Sequence, residues 1–124
     1  MQERQFKTAL YARLSVKDDA VTQSSSIISQ IDFLKDYLSV KREFCLCGTF
    51  FDDGYSGMSF NRPGFESMMQ EIKCKRIDCV VVKDLSRLGR SYYETGELIE
   101  NTLPSLGVRF ISVNEQYDTY KTKE

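Results

Sequence analysis

The chain contains no histidine. That absence excludes a Ser-His-Asp triad, a Cys-His pair and any imidazole-ligated metal site built from this chain alone. Long apolar runs are missing as well. Nothing approaches the roughly 18 consecutive apolar residues of a membrane-spanning helix, and the opening MQERQFK is charged, unlike a secretory leader. A cytoplasmic protein is therefore expected, with no membrane partner. No excess of positive charge advertises a polyanion: 17 Lys and Arg against 18 Asp and Glu leave a formal net charge of −1. There is no internal repeat and no low-complexity linker. The cysteines number four. Without an export signal they are expected to be reduced thiols in the core, because Cys45 with Cys47 and Cys74 with Cys79 lack zinc-ligand spacing.

What is present is 124 residues, 41% hydrophobic and 28% charged. That suits one soluble domain burying roughly two-thirds of its unfolded surface. Short apolar runs alternate with helical patterns. Residues 7–14 read as a first strand, and SSSIISQIDFLKDYL as a serine-capped helix with Ile27, Ile31, Leu34 and Leu38 on one stripe. Residues 43–51 read as a second strand, after which Asp52 and Asp53 are expected as turn formers before Gly54. Pro63 opens a helix carrying Phe65, Met68, Met69 and Ile72. Residues 78–84 form a continuously apolar third strand, the kind buried on both faces. Ser91 and Glu94 have capping-box spacing before a helix ending at Pro104 and Gly107. Residues 108–113 read as a fourth strand, and the remainder trails off as polar chain. The expected fold is α/β, a mostly parallel four-stranded sheet flanked by helices.

Such sheets place sites outside the carboxyl ends of their strands. Three polar clusters fall there. In LYARLSV, Arg13 and Ser15 share a strand face, with Tyr11 behind them. DDGYSG leads to Arg62 after strand two, and KDLSRLGR, with Arg87 and Arg90, follows strand three. Guanidinium forks grip phosphate oxygens two at a time. Up to four arginines around one hydroxyl suit a phosphodiester: they stabilise the transition state, favour the alkoxide, and the serine attacks.

YARLS, RPGF after a YSG turn, and VVKDLSRLGRS, in this order, resemble the catalytic domain of the serine site-specific recombinases, the resolvase and invertase superfamily. YSGMSFNRPGF is most similar to the large-serine-recombinase branch, and the match runs from about residue 7 to residue 118. The resemblance implies a resolvase-like catalytic domain of a DNA recombinase from a mobile element. Ser15 would attack DNA, leaving a 5′-phosphoserine bond and a free 3′-hydroxyl. Arg13, Arg62, Arg87 and Arg90 fall on the family's phosphate-binding arginines, Gln30 on its active-site glutamine, and Asp78 on an acidic position at the start of the third strand. Neither metal nor other cofactor is implied. The implied partners are double-stranded DNA, which would bring the protein to the bacterial nucleoid, and further copies of the chain in dimers and tetramers.

Two features depart from the family pattern. Ser86 stands where many small resolvases have aspartate, with Asp84 in a place to take over its role. The chain also stops at Glu124, so residues 1–124 are expected to be one catalytic domain, cut before the long dimerisation helix and DNA-binding domains, and inactive alone. Two other readings compete. Acidic residues ending strands two and three, with Lys83 nearby, allow a phospho-acceptor signalling domain. The same fold could also serve as a catalytically idle assembly module. Blander readings make Ser15 a turn residue, Arg62 a helix opener, and Arg87 and Arg90 a solvated face paired with Glu94 or Glu97.

Overall fold

The computed structural model describes residues 5–14, 26–53, 62–89 and 92–120. The apolar runs form β1 (Phe6–Leu14), β2 (Phe44–Asp53), β3 (Cys79–Val82) and β4 (Arg109–Ser112), and a further strand, β5, spans Tyr117–Asp118. The strand order is β2-β1-β3-β4-β5. β1 pairs parallel with β2 and β3, β3 parallel with β4, and β5 antiparallel with β4. Helices α1 (Ile27–Ser39) and α2 (Pro63–Lys73) follow β1 and β2, and the short α3 (Leu85–Leu88) follows β3. After α4 (Tyr92–Glu97) a π-helical turn (Leu98–Thr102) leads into α5 (Leu103–Ser105). Pro104 has no N–H to give, which interrupts the i→i−4 ladder there.

Strand alternation sends side chains to two cores. Leu10, Cys79, Val81 and Ile111 meet Leu34 and Leu38 of α1 on one face. Ala9, Tyr11, Val80, Val82 and Phe110 meet Phe65, Met68 and Ile72 of α2, with Leu98, Ile99 and Leu103, on the other. The sheet is thus covered on both sides, as parallel sheets are. Strand order reverses between β1 and β3, so the crevice above their carboxyl ends is the switch point where α/β sheets place their sites.

Four expectations need correction. Among the described residues the sheet has five strands, because the polar tail is recruited: Arg109 Nη2 holds Asp118 at 2.7 Å and Nη1 holds Glu43 at 2.8 Å. Its guanidinium lies 4.6 Å from the Tyr120 ring and 4.8 Å from that of Phe6. β2 extends through Asp53, so Asp52 and Asp53 are strand residues rather than turn formers. The buried line of α1 is Gln30, Leu34 and Leu38, with Ile27 and Ile31 only half-buried beside it. Of the cysteines only Cys79 is buried, while Cys45, Cys47 and Cys74 are exposed; β2 is an edge strand, and Cys47 occupies a bulge between the Thr8–Leu46 and Ala9–Gly48 pairs. The expected serine cap holds: the Ser26 hydroxyl accepts from Ser29 N at 3.1 Å. Ser91, half of the expected capping box, lies outside the described residues.

Candidate active site

β1 outruns its neighbour. Its pairing with β3 ends at Tyr11–Val82, while pairing with β2 continues to Leu14–Asp53. Arg13 therefore has a backbone edge with no β3 residue beside it, and a side-chain amide takes that place. The Arg13 N–H donates to Gln30 Oε1 at 3.2 Å, and Gln30 Nε2 donates to the Arg13 carbonyl at 3.0 Å. Both residues have no solvent exposure, so the carboxamide satisfies groups that burial would otherwise leave costly.

The segment after β3 gathers the arginines. Arg13 Nη2 donates to the Ser86 carbonyl at 2.7 Å, and Arg87 Nη1 donates to the Arg13 carbonyl at 3.1 Å. Arg62 Nη2 donates to the Leu88 carbonyl at 2.6 Å. Asp84 faces Arg87, its Oδ1 lying 3.6 Å from Nε, and accepts the Ser86 hydroxyl at 2.5 Å. Asp84 and Ser86 thus join in one carboxylate–hydroxyl pair on Arg87. Arg13, Arg62 and Arg87 are 0%, 1% and 8% exposed, so the solvated-face reading does not describe Arg87, and Arg62 does more than open a helix.

Arg62 also joins Tyr11 and Asp52, neither of which was expected as a site residue. Its Nη1 donates to the Tyr11 hydroxyl at 3.1 Å, which donates to Asp52 Oδ2 at 2.7 Å. Asp52 Oδ1 accepts from Gly64 N at 2.7 Å and Oδ2 from Phe65 N at 2.9 Å, closing the first turn of α2. Burial, with Asp52 alongside, raises the Tyr11 phenol well above its ordinary range, against the opposing pull of Arg62. Burial lowers the affinity of Arg62 for its proton, offset by Tyr11, Asp52 and Glu94. Asp52 is 3% exposed and holds three donors, which removes it as an accessible phospho-acceptor.

The structure therefore brings Arg13, Gln30, Arg62, Asp84 and Arg87 into one hydrogen-bonded cluster. Ser15, two residues beyond Arg13 in the chain, and Arg90 lie outside the described residues. Asp78 is not brought there. It sits at the amino end of β3, where its Oδ1 accepts from Lys7 N at 2.7 Å and its carbonyl accepts from Arg109 N at 2.9 Å. An acidic residue at the start of a parallel strand points away from the carboxyl-end crevice, and at this position its bonds extend the β1–β3–β4 ladder.

A sheet of this order, with Arg13, Arg62 and Arg87 gathered beyond the carboxyl ends of β1 and β3, defines an α/β domain of the doubly covered, mostly parallel kind. The family model of the resolvase N-terminal domain matches residues 8–124, and the chain belongs to that family of serine recombinases. Among solved structures, the N-terminal catalytic domain of TP901-1 integrase is 32% identical with a TM-score of 0.82, covering 94% of this chain and 84% of that one. The C-terminal catalytic domain of ISC1926 TnpA, an IS607-like serine recombinase, is 25% identical with a TM-score of 0.71, covering 87% and 70%. A resolvase family site-specific recombinase from Streptococcus pneumoniae is also 25% identical, with a TM-score of 0.73 over 94% and 78%. No curated protein matches the chain.

Proposed function

We propose that residues 1–124 form the catalytic domain of a DNA site-specific recombinase, with Ser15 as nucleophile. The observation that carries this is the gathering of Arg13, Arg62 and Arg87 on one short segment beside the end of β1, two residues before Ser15. In the step, Ser15 Oγ forms a bond to phosphorus while the bond from phosphorus to the 3′-oxygen breaks. The serine gives up its proton and the departing oxygen gains one, so the 3′-end leaves as a hydroxyl and the 5′-phosphate stays on the protein. One phosphodiester is exchanged for another, so the reverse step rejoins DNA with no other energy source. The arginines hold the phosphate and stabilise its transition-state charge, Arg90 among them. Gln30 fixes the backbone of Arg13, and Asp84 with Ser86 orients Arg87. Asp78 has no part in this chemistry. Duplex DNA is the partner, and paired cuts require further copies of the chain.

The test is adduct trapping in the full-length protein with a duplex carrying the recombination junction beside its own gene. Protein joined through Ser15 to a 5′ DNA end is expected, equally in EDTA, and Ser15→Ala abolishes it while DNA binding persists. Arg87→Ala slows it by ~10²–10³-fold, and Arg87→Lys rescues poorly because an ammonium lacks the planar fork. An adduct that survives Ser15→Ala sinks the assignment of the nucleophile, and one lost in EDTA sinks the metal-free step.

A further inference from the structure

The described part of the site contains a directional relay. The Asp52 carboxylate is pinned by two backbone N–H groups of α2, Gly64 N on Oδ1 and Phe65 N on Oδ2, and Oδ2 also accepts the Tyr11 proton at 2.7 Å. A phenol has one proton to give. With that proton committed to Asp52, the Tyr11 oxygen presents lone pairs to its other neighbour, Arg62 Nη1 at 3.1 Å. Arg62 in turn delivers Nη2 to the Leu88 carbonyl at 2.6 Å. Burial keeps the phenol protonated far above neutral pH, so the order of donors does not reverse.

The frame around the relay is rigid. A Cβ on Gly64 would lie 2.0 Å from the Phe51 carbonyl oxygen, so the first turn of α2 rests directly on the β2 backbone. The Arg62 guanidinium lies 5.6 Å from the Tyr11 ring centroid and 5.3 Å from that of Phe65, and the two rings pack edge-on at 5.8 Å. Arg62 precedes α2 with extended backbone (φ −132°, ψ 134°) and caps nothing with its side chain, which reaches across to the segment after β3 instead. Capping α2 accounts for Asp52 but makes no use of the Tyr11 hydroxyl.

We infer that Tyr11 and Asp52 are positioning residues, which set the plane of the Arg62 guanidinium against the Leu88 carbonyl and so aim it at the phosphate. This rests on Arg62 acting on DNA, as proposed above. Tyr11→Phe removes one oxygen and keeps the ring. In the full-length protein it is expected to lower adduct formation roughly 10-fold at saturating DNA, since misplacing one preorganised group is costly. Arg62→Ala should cost at least ~10²-fold, and Tyr11→Phe should add nothing in that background. Nitrogen-15 spectra of the arginine side chains, assigned with Arg62→Lys, should show hindered rotation of the Arg62 guanidinium that is lost in Tyr11→Phe. Asp52→Asn carries the same expectation through the other end of the relay and replaces Tyr11→Phe if that variant folds poorly. Losses that multiply in the double variant, or a guanidinium equally ordered without the hydroxyl, overturn the inference. If Arg62→Ala cleaves like the parent, the phosphate role of Arg62 fails, and the spectra still decide whether Tyr11 holds it.

Discussion

Gln30→Leu tests how the end of β1 is held. The substitution keeps nearly the same volume at a site with no solvent exposure. It deletes an acceptor 3.2 Å from Arg13 N and a donor 3.0 Å from Arg13 O. The carbonyl keeps Arg87 Nη1 at 3.1 Å, so most of the cost falls on the N–H. A buried donor stripped of its bond costs about 1–3 kcal/mol. With an unfolding entropy of about 2.1 cal/mol/K per residue, that lowers the melting temperature by roughly 4–12 °C. Urea unfolding followed by circular dichroism measures the loss, and the slope m should not change. Adduct formation should fall further than the unfolded fraction explains, because Arg13 and the chain leading to Ser15 lose their anchor. A variant within ~0.5 kcal/mol of the parent would show that the carboxamide does not bear on β1, and the account of Gln30 would be wrong.

Thiol titration of the native chain should count three accessible cysteines of the four, with Cys47 slowed because burial and the neighbouring Cys45 thiol raise it; burial raises the Cys79 thiol to about 12, so the fourth should react only on unfolding. The Tyr11 phenol is raised in the folded state, so folded chains hold a proton that unfolded chains release above the ordinary value of about 10. Stability from this group is therefore intact below pH ~10 and declines above it, and Tyr11→Phe should flatten that decline by close to one proton in the slope of unfolding free energy against pH. The 124-residue chain carries a net −1 and keeps Arg13, Arg62 and Arg87 at 8% exposure or less, so it can neutralise few phosphates. A plot of log K against log salt for duplex DNA should be no steeper than about −3, and a slope near −6 would reveal a DNA surface elsewhere on this domain.

The fold was legible because its signals are local. Val80, Val81 and Val82 are β-branched residues in a short apolar run, the pattern of a buried strand, and Pro63 suits the first turn of a helix. Where contacts between distant segments decide, the sequence was silent. β5 exists because Arg109 reaches Asp118 and Glu43 at once, and no window around residue 117 shows that. Gln30 was legible as a position but not as a mechanism: its amide replaces strand pairing only because β3 stops at Val82. The same holds for Asp52, whose pair of aspartates before glycine is a good turn signal. β2 overrides it by pairing with β1 as far as Leu14. Asp78, expected at the start of the third strand, does stand there, at the end of the sheet opposite the gathered arginines.

The motif RLGR is usually weighed by its arginines, yet its leucine holds the segment down. Leu88 has no solvent exposure and packs in the core with Phe65 and Leu98, while its carbonyl receives Arg62. The carbonyl two residues back, at Ser86, receives Arg13. Burying cations is costly unless their donors are met, and here one donor of Arg13 and one of Arg62 are met by main-chain carbonyls of this segment. Its backbone path and the arginine positions are thus one structural variable. Leu88→Ala should cost about 2–5 kcal/mol through the cavity and displace both carbonyls. Leu88→Met, which conserves volume, should cost under ~1.5 kcal/mol and keep them in place. In the full-length protein, at a temperature where both variants are folded, adduct formation should collapse in the alanine variant and persist in the methionine one. If the alanine variant loses stability but cleaves at the parental rate, the arginines are positioned without the segment that receives them, and the coupling argued here does not exist.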